Sequence, residues 1–379
     1  MASCPIAGVI WQHLHYIVGL QRMGHEVYYV EDSARYPYNP VNFETADNCG
    51  YAVATLRELA KTYGFNGRWA YCARFLNPPQ SFGLKLQRLR ELYREADVVL
   101  NVCGSNELNE DLARSEHLIY VETDPGFEQI KIDQGDDRTI HYLRRHRVLF
   151  TFGENVGKSM FPVPLHGFHW LPTRQPIVMD FWRVDSAPSA GSIFTTIANW
   201  STRGRKDFEW NGEAYLWSKA ENFLQYTDVP IMTGEAIEIA ADIRDVSTAK
   251  RLRAAGWHLK DPHVLSIDRE AYRGYIRCSR GEFTVAKDQY VRLNTGWFSD
   301  RSACYLAAGR PVITQETGFT RLFGGEKGLL SFSNVDEVGE AVAAIRGDYA
   351  THARAAFEIA VEFFDAGKVL TSLLDRAGV

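Results

Sequence analysis

Short apolar runs alternate with amphipathic stretches along most of this chain, and that alternation is the feature that most restricts its fold. Ile10–Met23 carries apolar residues at helical spacing, and Glu26–Val30, which follows its glycine stop, has the composition of a strand. The pattern also predicts helices over Tyr51–Tyr63 and Leu84–Ala96, and strands over Val98–Val102, Leu118–Glu122 and Val148–Phe152. Strands that alternate with helices are typical of a parallel sheet covered by helices.

The alternation restarts in the second half of the chain. Predicted strands there are Ser192–Trp200, Gly281–Lys287, Pro311–Gln315 and Gly328–Phe332. Predicted helices are Gly212–Tyr226, Ser247–Ala255, Ser299–Ala308, Val335–Ile345 and the stretch from Tyr349 onward. The pattern in both halves predicts an α/β protein with two doubly wound, Rossmann-like domains that face each other across a cleft.

Proline separates the two regions of alternation. Five of the 14 prolines fall within 27 residues, namely Pro162, Pro164, Pro172, Pro176 and Pro188. Because proline lacks a backbone donor and stops helices, this stretch is expected to be a stiff, irregular connector. We predict an N-terminal domain over residues 1–172, a linker over 173–190, a C-terminal domain over 191–350, and C-terminal helices over 351–379 that pack back on the N-terminal domain.

The charge balance narrows the classes of function. Lys and Arg total 42 against 47 Asp and Glu, a net charge of −5, which argues against a protein that mainly grips nucleic-acid backbone. A modified base bound in one local basic groove stays open as an acceptor. The six cysteines are scattered without metal-ligand spacing, as in reduced cytoplasmic proteins, and no apolar run approaches the ~18 residues that span a bilayer.

The segment from residue 296 to residue 319 is the strongest candidate for a binding site. Ser299 is suited to the N-cap of the predicted helix, and Asp300 lies in its first turn. Free N–H groups at Arg301 and Ser302 would point out of the helix start, where partial positive charge favours phosphate. The Arg301 side chain adds a possible bidentate contact to a diphosphate. An ordinary α/β unit with a capped helix explains the same spacing.

The loop after the next predicted strand belongs to the same site. Glu316, Thr317 and Gly318 follow Pro311–Gln315, at the carboxyl end of that strand. Ligands of open α/β sheets bind at these ends, so the three residues are candidates for contact with the same ligand.

Two segments carry a family resemblance. The run Cys304–Ile313, "CYLAAGRPVI", resembles the donor-binding helix and strand of GT-B glycosyltransferases, and Ala7–Asp32 is similar to the glycine loop, His-bearing helix and G-H-E-V strand that open this family. The resemblance covers nearly the whole chain. It implies a nucleotide-diphosphate sugar on the C-terminal domain, an unidentified acceptor on the N-terminal domain, and no cofactor.

The sequence departs from the family's pattern in three places. The paired glutamates of retaining members fall here on Gly296 and Cys304, so Asp300 or Glu316 becomes the candidate for the ribose contact. Only seven residues precede Gly8, and they do not form a convincing strand, so the family's first strand is expected to be missing or very short. The sequence carries no evident donor signature of inverting members, which leaves the stereochemistry unassigned.

The resemblance also implies contacts to the donor phosphates. Gly8 stands in the expected glycine loop, and Asn199 begins the loop that leaves the first strand of the C-terminal domain. Basic residues in that loop are candidates for the diphosphate; they are Arg203, Arg205 and Lys206, of which Lys206 fits best by spacing. Lys287, at the end of a predicted strand, would carry charge to the same edge. A solvated basic loop is the alternative.

Two residues of the first domain are candidates for the acceptor's proton. His13 matches the helical histidine that faces the acceptor in many family members, and imidazole suits base catalysis because its pKa lies near neutrality. Asp124 follows a predicted strand and would lie on the rim of the cleft. The run from Glu122 to Asp124 superficially resembles a metal-binding D-x-D, but that motif belongs to a different fold, so no metal is expected.

The first hypothesis is therefore a cytoplasmic, metal-independent glycosyltransferase, such as a hexosyltransferase. A nicotinamide oxidoreductase would need a G-x-G-x-x-G loop, and only Gly8 is present near that position. A non-catalytic GT-B-like binding or accessory protein, or a sugar-nucleotide epimerase, stays open because the glutamate pair is absent.

Overall fold

The computed structural model describes residues 1–45, 48–201, 207–323 and 326–379. The helices are α1 (Ala7–Arg22), α2 (Gly50–Thr62), α3 (Leu86–Glu95), α4 (Phe127–Asp133), α5 (Asp137–Arg144), α6 (Ala220–Gln225), α7 (Val229–Thr233), α8 (Val246–Ala254), α9 (His263–Ile267), α10 (Arg269–Cys278), α11 (Asp288–Arg292), α12 (Asp300–Ala307), α13 (Thr320–Phe323), α14 (Val335–Gly347), α15 (Tyr349–Phe363) and α16 (Ala366–Ala377).

The strands of the first 172 residues, here called the N-terminal half, are β1 (Tyr29–Glu31), β2 (Tyr38–Asn39), β3 (Glu44–Thr45), β4 (Trp69–Ala73), β5 (Gln80–Gly83), β6 (Val99–Val102), β7 (Leu118–Glu122), β8 (Val148–Thr151) and β9 (Trp170–Pro172). The strands after residue 190, in the C-terminal half, are β10 (Phe194–Ile197), β11 (Phe208–Trp210), β12 (Glu213–Tyr215), β13 (Ile237–Ala240), β14 (Trp257–Lys260), β15 (Gly281–Thr284), β16 (Val312–Gln315) and β17 (Leu329–Phe332).

The C-terminal half is built on one continuous sheet. Its strand order is β14-β13-β10-β15-β16-β17, and every neighbouring pair is parallel. Phe283 and Phe332 stack at 5.3 Å within the core between this sheet and its helices. Because all six strands run in one direction, their carboxyl ends meet at a single edge, which confirms the doubly wound arrangement predicted for this region.

The N-terminal half is built on two separate sheets. The first has the order β1-β4-β5, with β5 antiparallel, and the second is the parallel sheet β6-β7-β8-β9. Within the described residues no strand precedes α1, and none joins β1 to β6. Helix α3 covers both sheets on one face, because Val30 of β1 and Val99 of β6 pack in the same cluster as Leu89 and Leu92.

Helix α1 begins earlier than expected. Ala7 and Gly8 belong to its first turn, so the prediction of a glycine loop at these residues is wrong. The apolar spacing that starts at Ala7 continues through Ile10, Trp11 and Leu14, and this stripe is buried against α10 and α12. Packing of that stripe sets the start of the helix.

The prediction of a helix over Gly212–Tyr226 is also wrong. The chain forms the antiparallel hairpin β11–β12 there, and α6 begins only at Ala220. Asn211 and Gly212 both have positive φ, at 51° and 77°, which is the backbone of a two-residue hairpin turn. The Asn-Gly pair was the sequence signal for this turn.

One apolar cluster joins the two halves. Trp11 of α1 is 1% exposed and shares its cluster with Tyr305 of α12 and Ala356 of α15. Helix α16 packs on α1, where Gly19 leaves room for the Leu370 side chain. Among the described residues, none of the helices combines the length and apolar character required to cross a bilayer.

Candidate active site

The carboxyl edge of the C-terminal sheet meets the N-terminal half beside the start of α12. The loops after β15 and β16 lie at this edge, and the facing elements are α1 and the loops after β6 and β7. We call this junction the cleft; its two sides are Gln12, Thr123 and Asp124 in the N-terminal half, and Lys287, Trp297 and Asp300 in the C-terminal half.

Two lysines bring positive charge to the cleft. Lys287 lies just beyond β15, with its ammonium group 4.5 Å from the centre of the Trp217 ring. Lys219 precedes α6, is 7% exposed, and donates from Nζ to the Val285 carbonyl at 2.8 Å. Desolvation, and then the charges of Arg301 and Lys287, lower the pKa of Lys219 well below its usual value. Sequence reasoning missed Lys219, because nothing in its local pattern shows that its amine reaches this edge.

Arg301 is held inside its own domain. Its guanidinium donates to Glu282 at 2.5 Å, to the Ile197 carbonyl at 2.6 Å and to the Thr284 hydroxyl at 2.9 Å. The Glu282 side chain is 0% exposed, so the pair is an internal ion pair on the sheet. The structure thus gives Arg301 three internal acceptors, and its contact with a diphosphate stays a prediction.

The start of α12 keeps polar groups of its own. Ser299 occupies the N-cap position, but its side chain makes no capping hydrogen bond. The Ser302 hydroxyl is fully buried and has no partner among the described residues. The side chain at the N-cap position thus leaves the first N–H groups of the helix uncapped, and their contact with a phosphate stays a prediction.

Asp124 and Lys287 form an ion pair across the cleft. The Asp124 carboxylate accepts hydrogen bonds from the Lys287 ammonium and from the Tyr290 hydroxyl. Beside them, the Trp297 indole donates to the Thr123 carbonyl at 3.0 Å. The structure therefore places the predicted residues Asp124 and Lys287 together, on opposite sides of the cleft.

Asp300 forms a second polar link across the cleft. Its Oδ2 accepts a hydrogen bond from the Gln12 side-chain amide of α1 at 3.3 Å. Gln12 in turn accepts from the Cys103 thiol at 3.5 Å, and Cys103 accepts from the Thr123 hydroxyl at 3.2 Å. Desolvation, and then the charge of Asp124, raise the pKa of Asp300 to about 7. Gln12 was not a candidate from the sequence, although it lies one residue before His13.

The His13 side chain faces away from Asp300 and its hydrogen-bond partners. Its Nδ1 is hydrogen-bonded to the Val9 carbonyl of its own helix at 2.9 Å. Its ring forms an edge-to-face contact with the Tyr29 ring, with 5.9 Å between the two ring centres. Desolvation lowers the pKa of His13 to about 4. The structure thus places His13 beside β1, and its catalytic role stays a prediction.

The loop after β16 is folded on itself. Glu316 accepts from the backbone N–H of Thr317 at 3.0 Å and of Gly318, and the Thr317 hydroxyl donates to the Trp297 carbonyl at 2.6 Å. Gly318 has φ of +94°, and a Cβ there would lie 2.2 Å from the Asn294 side chain, so only glycine fits. The Gly318 carbonyl accepts from Asn155 of the N-terminal half at 3.2 Å, which ties this loop to the cleft.

Five other predicted residues lie away from the cleft or outside the described residues. Asn199 is exposed just beyond β10. Gly8 lies inside α1, where an added Cβ would be 3.7 Å from the Tyr272 hydroxyl. Arg203 and Lys206, together with Arg205, lie outside the described residues.

The side chains that could ligate a metal are dispersed over residues 1–45, 48–201, 207–323 and 326–379. No three His, Cys, Asp or Glu side chains gather there in a way that could hold a metal ion. The D-x-D-like run does not bring its two carboxylates together, because Glu122 points into the core, where it accepts hydrogen bonds from Gln129 and Thr151. Metal-independent chemistry stays a prediction.

Comparison with known proteins gives structural likeness without sequence likeness. No family model matches the chain, and no curated protein matches it. Anabaena HepE solved with UDP and glucose is 11% identical, with a TM-score of 0.50, covering 88% of this chain and 98% of HepE. HepE solved with UDP gives 11% identity and a TM-score of 0.50, with 86% and 89% covered. AviGT4, a glycosyltransferase of avilamycin A biosynthesis, gives 10% identity and a TM-score of 0.49, with 77% and 76% covered.

At these identities the likeness to HepE concerns the fold alone. It extends over both halves of the chain, which share the two-unit, Rossmann-like arrangement of GT-B proteins. The chain therefore has the GT-B fold, as predicted from the two sequence segments.

Proposed function

We propose that this protein is a metal-independent glycosyltransferase that moves a sugar, such as a hexose, from a nucleotide-diphosphate donor to an acceptor held in the cleft. The observation that carries the proposal is the meeting of Lys219, Lys287 and the start of α12 at one edge of the C-terminal sheet. Cations beside an uncapped helix start form a site for a diphosphate.

The charges at this edge suit a leaving group that gains negative charge. When the bond between the sugar and the phosphate breaks, the electron pair stays on the diphosphate, and preorganised cations stabilise it. The pKa of the Lys219 amine is lowered first by desolvation and then by the charges of its neighbours Arg301 and Lys287. A bound diphosphate brings opposite charge beside Lys219, which raises its pKa and favours its charged form.

The choice of donor for testing follows from the structural likeness. The HepE structures of the same fold contain UDP, and one contains UDP and glucose. We therefore propose UDP-glucose as the first probe of the donor site. The acceptor would bind on the N-terminal side, between α1 and the loops after β6 and β7.

A thermal-shift experiment tests the proposal directly. UDP and UDP-glucose should raise the melting temperature, because a ligand that binds only the folded state stabilises it, whereas UMP, which lacks the second phosphate, should raise it less. Release of UDP from UDP-glucose, with water or a supplied sugar as acceptor, then measures turnover. Equal shifts with UMP and UDP, or no shift with any of them, would contradict the diphosphate site.

A non-catalytic GT-B-like binding protein is the second candidate. The observation behind it is the absence of the paired glutamates, whose positions hold Gly296 and Cys304. This reading expects binding of UDP without release of UDP from UDP-glucose under any condition of pH or acceptor.

A further inference from the structure

We propose that Asp300 is the catalytic base of the cleft, the group that takes the proton from the acceptor hydroxyl. The inference rests on the proposed function and assigns one residue to its proton-transfer step. The sequence suggested a ribose contact for Asp300, but its position in the structure points to the acceptor side.

The placement of Asp300 is the first argument. Although it begins α12 in the C-terminal half, its carboxylate accepts from Gln12 of α1 at 3.3 Å. The neighbouring residue Arg301 turns the opposite way, into its own sheet, where it pairs with Glu282. Asp300 thus stands between the helix start that would hold the donor and the elements that would hold the acceptor.

The second argument is an unsatisfied polar group in the same place. Tyr16 lies one turn after Gln12 on α1, is 4% exposed, and its hydroxyl has no partner among the described residues. After desolvation, Cys103 and Asp300 are the titratable groups that raise the pKa of this hydroxyl, which places it on their side of α1. A buried hydroxyl without a partner marks a position for one more polar group, such as a water molecule or an acceptor hydroxyl.

The charged and titratable groups around Asp300 set its protonation. Asp124, on the loop after β7, raises its pKa, whereas Arg301 of α12 and the Gln12 amide lower it, and Cys103 faces it from the loop after β6. Together with desolvation these groups bring the pKa to about 7. A base is most effective when its pKa lies near the working pH.

The competing carboxylate is less available. Asp124 already accepts from the Lys287 ammonium and the Tyr290 hydroxyl, so its Oδ1 is engaged by two donors of the C-terminal half. Asp300 accepts from the neutral Gln12 amide and from its own backbone N–H, and its carboxylate keeps lone pairs for a substrate proton.

The proposed step balances as follows. The acceptor O–H bond breaks and its proton forms a bond to an Asp300 carboxylate oxygen. The acceptor oxygen forms a bond to the anomeric carbon, while the bond from that carbon to the phosphate oxygen breaks. The electron pair of that bond leaves with the nucleoside diphosphate.

The experiment measures UDP release from UDP-glucose between pH 5 and 9. In wild type, turnover should fall as pH drops through about 7, where Asp300 becomes protonated. Asp300→Asn should lose ~10²–10⁴-fold in kcat and keep UDP affinity, because it removes a base and little volume. Asp137→Asn is the matched control, since Asp137 also begins a helix, α5, but is exposed and is not one of the residues that define the cleft.

Two further variants distinguish Asp300 from Asp124 as the catalytic base. Asp124→Asn removes a negative charge that raises the pKa of Asp300, so the acidic limb of the pH profile should move to lower pH but persist. Gln12→Leu removes a hydrogen bond that lowers this pKa, so the limb should move to higher pH. If Asp300 had only a structural role, neither of these two variants would shift the acidic limb of the pH profile.

Thermal stability gives a readout besides activity. A carboxyl whose folded pKa is raised stabilises the fold fully below its unfolded pKa, near 3.9, and this contribution is lost as pH rises to about 7. The melting temperature of Asp300→Asn relative to wild type should therefore rise between pH 4 and 7 and level off above. The same readout shows that the variant is folded.

The outcomes distinguish the two proposals. Failure of wild type to bind UDP or UDP-glucose overturns the proposed function, and the assignment of the base falls with it. Turnover by wild type that survives in Asp300→Asn, or an acidic limb that disappears in Asp124→Asn while persisting in Asp300→Asn, overturns only the base assignment. A rate in wild type that falls as pH rises through 7 would make Asp300 an acid and overturn it as well.

Discussion

The two halves of this molecule arrange their strands into sheets in different ways. The C-terminal half lays six parallel strands side by side, so that strand ends, loops and α12 share one edge. The N-terminal half divides its strands between two sheets, with β1 and β6 as edge strands of separate ladders under the same helix, α3. The first arrangement is a complete sheet, and the second depends on its helices to hold two sheets together.

This difference is reflected in what each half contributes to the cleft. The continuous sheet supplies the cations and the helix start, held by internal pairs such as Arg301 with Glu282. The divided half supplies polar side chains on α1 and on two loops, among them Gln12 and Asp124. A rigid edge suits the constant part of a donor, and separately mounted loops suit a variable acceptor.

The largest effect on the free energy of unfolding is expected at the buried ion pair between Arg301 and Glu282 in the continuous sheet. Arg301→Ala leaves the fully buried Glu282 carboxylate without its partner, which should cost ~3–5 kcal/mol of unfolding free energy. Urea unfolding at pH 7 measures it. The double variant Arg301→Met with Glu282→Met should recover most of the loss, because it removes both charges.

An exposed ion pair in the N-terminal half provides the control for this prediction. Arg90 pairs with Asp111 at 3.0 Å and its side chain is 60% exposed, so Arg90→Ala should cost less than about 1 kcal/mol. If Arg301→Ala is as stable as wild type, Arg301 is not needed by the sheet and is free for a ligand, as the sequence first suggested.

A smaller effect is expected in local stability. Amides of the edge strands β1 and β6 should exchange with solvent about tenfold faster than those of β10 and β15, a difference of ~1.4 kcal/mol, because each edge strand is paired on one side only. Hydrogen exchange followed by mass spectrometry compares the four strands in one experiment. Equal protection in all four would mean that the divided sheets open as one unit with the rest of the molecule.

Periodicity predicted many of the elements and missed others, among them several short strands and the helix α10. The strand Leu118–Glu122 was predicted to the residue, and α2, α8 and α12 to within one or two residues at each end. Trp69–Ala73 was not predicted, because its five buried residues carry no alternation by which to recognise them. Ile237–Ala240 was not predicted either, since four residues are too short a run to stand out. The division of the N-terminal sheet is a tertiary property that no local pattern expresses.

The candidate site was predicted by the same rule. Asp124, Lys287 and Asp300 were found because each follows a strand or begins a helix at a predictable edge. Lys219 and Gln12 were missed, because only the path of the chain brings a lysine before α6 and a glutamine inside α1 to that edge. Which way Arg301 turns depends on the buried Glu282, which also lies far from it in sequence.

The central claim is that the continuous half binds a diphosphate through cations that include Lys219. Calorimetric titration with UDP at pH 8, in two buffers of different ionisation enthalpy, measures affinity and proton uptake together. Wild type should take up protons on binding, because the lowered pKa of Lys219 rises when the anion arrives. Lys219→Met should lose this uptake and about tenfold in affinity, ~1.4 kcal/mol, while Lys250→Met, which changes an exposed lysine of α8, should match wild type. Binding without proton uptake, or unchanged affinity in Lys219→Met, would contradict the claim.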